Sequence, residues 1–170
     1  LQSHQLVINK DKGPLLENQT LKMDFLVNWD QLAKRYTLLP SRVINNHSMF
    51  FLHGALLLNE QPELSLYIGN PKILFNEATA LTTAYARENL SGYNFERPLS
   101  MHLYVHGALI PNKPINHDIY FQTSKNNFQL KETKLLEAAI SGHYTNHQND
   151  TLYNDETNAG MYISKMNGFY

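Results

Sequence analysis

The chain contains no cysteine, which removes disulfides, thiolate nucleophiles and cysteine-ligated zinc from consideration and fits a cytoplasmic or other reducing compartment. A secreted effector acting in a host cytosol fits the same observation. Charge of either sign is scarce as well. There are 14 Lys and Arg against 15 Asp and Glu, the formal net charge is −1, and charged residues make up 17% of the chain, below the usual quarter or so. With no basic run and no global field, a nucleic-acid partner is not expected. No apolar run approaches the roughly 20 residues that a membrane-crossing helix needs, and no signal-peptide pattern opens the chain, so membrane insertion is not expected either. Walker-type, dinucleotide-binding, H-E-x-x-H and G-x-S-x-G motifs are all missing.

What is present is enough apolar material for a core. The 170 residues fit a single domain spanning 1–170, with an N-terminal arm over 1–18 that includes a short irregular or extended piece, Leu6-Val7-Ile8. The chain starts at Leu1 and reads as part of a larger protein. Its heavy use of Asn suggests an AT-rich, bacterial genome.

The spacing of apolar residues predicts helices. Leu21, Phe25, Trp29, Leu32, Tyr36 and Leu39 step by three and four, ended by Pro40. Val43, His47, Phe50, Gly54 and Leu57 follow at the same period. Asn70-Pro71 reads as an N-cap and first helical residue before Leu74, Ala78, Leu81 and Tyr85. Leu99, Leu103, Gly107 and Ile110 form a fourth stripe, and Phe128, Leu135, Ala138 and Gly142 a fifth. Residues 115–123 are a short apolar run compatible with either period, and 145–158 is a polar loop. The expected fold is therefore all-α, a compact bundle of about five or six helices.

One segment occurs twice. Ser48-Met49 leads into His53-Gly54-Ala55-Leu56, and Ser100-Met101 into His106-Gly107-Ala108-Leu109, each followed by Asn and Pro, at an offset of 53 residues (106 minus 53). This suggests two helical pseudo-repeats. Within them Gly54, Ala55, Gly107 and Ala108 are expected at close helix crossings, because a residue without a bulky side chain lets another backbone approach. The tetratricopeptide pattern does not fit, since its downstream alanine and aromatic positions are missing in both copies.

Histidine, with eight copies, is the reactive residue in supply. His102 with His106, and His143 with His147, are four apart. On a helix that spacing places both imidazoles on one face, where they could share a divalent metal. His117-Asp118, with histidines before it and Asp150 after it, loosely resembles the helical HD-type metal-dependent phosphohydrolases; the resemblance implies a metal-activated water with His117 and Asp118 as catalytic residues. His106-Gly107, Ile119-Tyr120-Phe121 and Thr123-Ser124-Lys125 stand in the order of ADP-ribosyltransferase marks but too close together. The leading expectation is a helical protein-protein interaction module with another protein as partner and no cofactor. The second is the HD-like hydrolase with its metal on His102, His106, His143 and His147.

Overall fold

The computed structural model describes residues 2–6, 16–45, 48–80, 88, 90–111, 115–149 and 158–169. It overturns the helical bundle. Among the described residues, eleven antiparallel strands form one sheet: β1 (Gln2–Leu6), β2 (Leu16–Asp24), β3 (Val27–Asp30), β4 (Arg35–Asn45), β5 (Ser48–Leu57), β6 (Glu63–Ile73), β7 (Tyr93–Phe95), β8 (Leu99–Ala108), β9 (Asn116–Leu130), β10 (Thr133–Thr145) and β11 (Gly160–Phe169). A single short helix, α1 (Phe75–Ala80), is assigned among the described residues. The strand order is β1-β2-β4-β5-β6-β8-β9-β10-β11, with β3 added against β4 and β7 against β9.

Alternation explains why these residues are strands. Successive side chains of a strand point to opposite faces. In β8, Leu99, Met101, Leu103 and Val105 take one face, and Ser100, His102, Tyr104 and His106 take the other. The cross-strand register extends both rows. Met101 and Leu103 oppose Phe121 and Ile119 of β9 on one side, and Leu103 opposes Ile68 of β6 on the other. One face is thus apolar. The other carries His, Tyr and Ser.

The apolar face closes into a core at one end of the sheet. Phe50, Ile73, Phe95, Leu99, Phe128, Ala138 and Ile140 are buried there, and Phe75 and Ala78 of α1 pack against them. Phe95 stacks on Phe128 with ring centroids 4.5 Å apart. Asn126, fully buried, is satisfied by accepting from Arg97 N–H and donating to Arg97 O and Thr123 Oγ1, as a buried amide must be.

The prolines that looked like helix punctuation have another role. Pro40 lies in the register shift of β4 between Leu38 and Ser41, and Pro71 in that of β6 between Asn70 and Ile73. A residue without an N–H is tolerated within a sheet at such bulges. Further shifts interrupt β10 against β9 around Ala138, where Lys125 and Glu137 have φ of 48° and 51°.

Gly54-Ala55 and Gly107-Ala108 are not helix crossings. Gly54-Ala55 lies in β5 and Gly107-Ala108 at the end of β8, the two strands that flank β6. The repeated segments therefore run in the same direction on either side of β6. They are offset by two residues, since His53 opposes Tyr67 and His106 opposes Ser65. They are strand segments and not helical repeats. The arm expected over 1–18 supplies β1 and the start of β2, with 1 and 7–15 outside the described residues; 150–157 of the polar loop and His47 lie outside them too.

Candidate functional site

At the end of the sheet away from the core, three neighbouring strands bring histidines onto one carboxylate. Asp118 on β9 directly opposes Tyr104 of β8 and Thr145 of β10. His106 and His143 lie two residues from those partners, on the same face, so each reaches Asp118 along a diagonal. His147 lies two residues beyond Thr145, past the end of β10.

The distances are short. His106 Nε2 is 3.0 Å and His147 Nε2 3.1 Å from the same oxygen, Asp118 Oδ2. His143 Nε2 is 3.6 Å from Oδ1. One ligating atom each from His106, Asp118 and His147 falls within a 4.8 Å group. The Asp118 side chain is 13% exposed, and the rings of His106 and His147 meet edge to face, 5.4 Å and 89° apart.

Asn146 makes the bend that returns His147 to the site. It is 3% exposed; its Oδ1 accepts from His117 N–H at 2.8 Å, its Nδ2 donates to Ile115 O at 2.9 Å, and its own N–H reaches His117 O at 3.3 Å. These bonds tie the end of β10 to the start of β9. His143 is fixed differently, stacked between Tyr120 (4.8 Å, 11°) and Tyr162 (5.5 Å, 17°).

Burial alone would push the Asp118 carboxyl upward. Hydrogen bonds from His147, His106 and Thr145, with the charge of His147, overcome that and lower it from 3.8 to about 2. A depressed carboxylate stabilises the fold above its unfolded value and stops doing so as pH falls through its folded one. Asp118 should therefore contribute in full above about pH 3.8 and lose its contribution on acidification toward pH 2. Thermal melts across that window should show a wild-type loss of stability that the Asp118→Asn variant lacks.

The sequence-predicted residues divide. His106, His143, His147 and Asp118 come together. His102 does not, because residues four apart in a strand share a face but sit roughly 13 Å apart. Its Nδ1 is 2.6 Å from the Tyr67 hydroxyl and its Nε2 3.2 Å from Ser100 Oγ. Burial, and next the charge of Tyr104, raise the Tyr67 hydroxyl above its ordinary value. His117 and Asp118 are adjacent in β9 and so face opposite ways; His117 stacks on Tyr144, with centroids 5.7 Å apart. The expected catalytic pair is not a pair. Tyr162, Thr145 and Asn146 were not among the expected site residues, and Tyr120 was singled out only within the Ile119-Tyr120-Phe121 run. The alternation His102-x-Tyr104-x-His106 is a signal that a strand reading would have used to place tyrosines among the histidines.

An ion bound here would meet two imidazole nitrogens and a carboxylate, a donor set suited to zinc and its neighbours rather than to magnesium or calcium. His143 Nε2 lies 3.6 Å from the other oxygen of the same carboxylate. No protein family, curated protein or solved structure matches this chain.

Proposed function

We propose that this protein is a metal-binding β-sheet domain that holds a divalent transition ion of the zinc class on His106, Asp118 and His147. The convergence of two imidazole Nε2 atoms on one carboxylate oxygen, at 3.0 and 3.1 Å, carries the reading. Zinc accepts His nitrogens at about 2.0–2.1 Å and carboxylate oxygens at about 2.0–2.2 Å, so small ring movements would exchange the His–Asp hydrogen bonds for metal bonds. The Asn146 clamp acts as the outer support that keeps His147 in place. The helical interaction module and the helical HD-type hydrolase are both set aside, because the chain is a sheet and the His-Asp dipeptide is split between its faces.

Titration calorimetry with zinc, nickel and magnesium tests the proposal. One equivalent of zinc or nickel should bind while magnesium does not. His106→Ala and His147→Ala should each weaken zinc binding about 100-fold or more, and His102→Ala should leave it unchanged. Equal losses in all three variants, or no zinc binding by the wild type, would sink it.

A further inference from the structure

A second surface, independent of the metal site, has its own chemistry. Strands β3 and β4 form a hairpin closed by residues 31–34, and β3 pairs with β4 alone. The alternation is strict. Val27 and Trp29 of β3 oppose Leu38 and Tyr36 of β4, while Asn28 and Asp30 oppose Thr37 and Arg35. The hairpin is therefore amphipathic, yet its apolar side is open: Val27, Trp29 and Tyr36 are 54%, 42% and 41% exposed, and Leu32 at the turn is 98% exposed. A leucine so presented is not held outward by chance rotation of the turn. Asp30 Oδ1 accepts N–H groups of both Leu32 and Ala33 at 3.0 Å, which fixes the turn and occupies the hairpin's one carboxylate.

Charge and aromatic placement select the occupant. Lys34 and Arg35 follow Leu32 after Ala33 and are exposed, Arg35 on the hairpin's polar side across from Asp30, so two cations stand next to the apolar tip. Behind it, Trp29 packs on Tyr36 with centroids 4.3 Å apart. Apolar tip, basic flank and Trp/Tyr base are the components that sit at a bilayer interface: an apolar side chain within the headgroup region, cations at anionic headgroups, amphipathic rings at the boundary. We propose that the β3–β4 hairpin docks on the surface of an anionic lipid bilayer, with Leu32 entering the headgroup region.

Trp29 is the chain's only tryptophan, so its fluorescence reports on this hairpin alone. The full chain is titrated with vesicles of phosphatidylglycerol and phosphatidylcholine in equal parts, with pure phosphatidylcholine as the comparison, and followed by emission and co-sedimentation. The expected result is a blue shift and pelleting on the mixed vesicles that weaken with added salt. Leu32→Asp, at a position touching no core, should lower partitioning about tenfold or more, with an unchanged melting temperature. Charge reversal of Lys34 and Arg35 to Glu should abolish the preference for the anionic vesicles. Absence of a shift on either vesicle, or an equal shift on both, overturns the proposal. So does a blue shift that grows with protein concentration in lipid-free buffer alongside dimer in sedimentation, which would assign the hairpin to a second copy of the chain.

Discussion

Asp118→Asn should abolish tight zinc binding, reducing affinity by at least about 100-fold, while leaving a folded protein. The amide keeps the size of the carboxylate but loses its charge, and it turns one acceptor into a donor. Two imidazole Nε2 atoms, which converge on the Oδ2 position in the wild type, would then face either a neutral oxygen or an N–H group. Neither competes with a carboxylate for a hard-to-borderline cation. In metal-free protein the same change removes charge-assisted hydrogen bonds to His106, His147 and Thr145, and a cost of about 1.5–3 kcal/mol is expected. Competition titration against a chelating dye measures the first effect and thermal melting the second. Wild-type zinc affinity in the variant would remove Asp118 from the site.

The second large effect lies at Gly54. A Cβ there would collide with the carbonyl oxygen of Ser65 and come within 3.0 Å of Leu66 Cα. Both are backbone atoms of β6, which is paired with β5 on one side and β8 on the other. The collision cannot be relieved by turning a side chain, so β5 and β6 must part. Gly54→Ala should cost about 3 kcal/mol, which in a chain of this size lowers the melting temperature by roughly 6–12 °C. Gly107 is constrained for another reason. The nearest atom to its missing Cβ is 3.9 Å away, but its φ of 125° is a region that residues with a side chain avoid. A melting temperature of Gly54→Ala equal to wild type would show that the strands have slack the geometry denies them.

Of the two repeated glycines, Gly54 meets a neighbouring backbone closely, although that of a strand, and Gly107 does not. Close backbone approach at Gly54 was legible from the cost of placing glycine in a regular element; which kind of element it approached was not. A spacing of four belongs to both periods, since it is about one helical turn and also two steps along one face of a strand. Leu99, Leu103 and Gly107 satisfy either reading. What separates them is the intervening residue: Met101 and Val105 share the leucines' face only in a strand, and they do so here. Pro40 and Pro71 reinforced the error because bulges tolerate proline as helix boundaries do.

The candidate site was legible in its residue types and not in its grouping. Spacing singled out His106, His143 and His147, and the His-Asp dipeptide singled out Asp118. The partners came out wrong because a helix and a strand sort the same residues differently. A helix would have joined His102 to His106, whereas the strand separates them and brings Asp118 in from β9 through register. His147 needed the bend at Asn146, which no periodicity encodes; only the buried amide bridging Ile115 and His117 reveals it.

The interruptions of the strands bear on how the molecule meets its own copies. A sheet of eleven strands, if flat and evenly pleated, presents long straight edges that template stacking into fibrils. The bulges at Pro40 and Pro71, with the left-handed residues Lys125 and Glu137, each add local twist and bend. They fall on β4, β6, β9 and β10, so the curvature is distributed across the sheet. The prolines that misled the reading of the fold thereby bend the interior strands β4 and β6 away from the flat form that stacks.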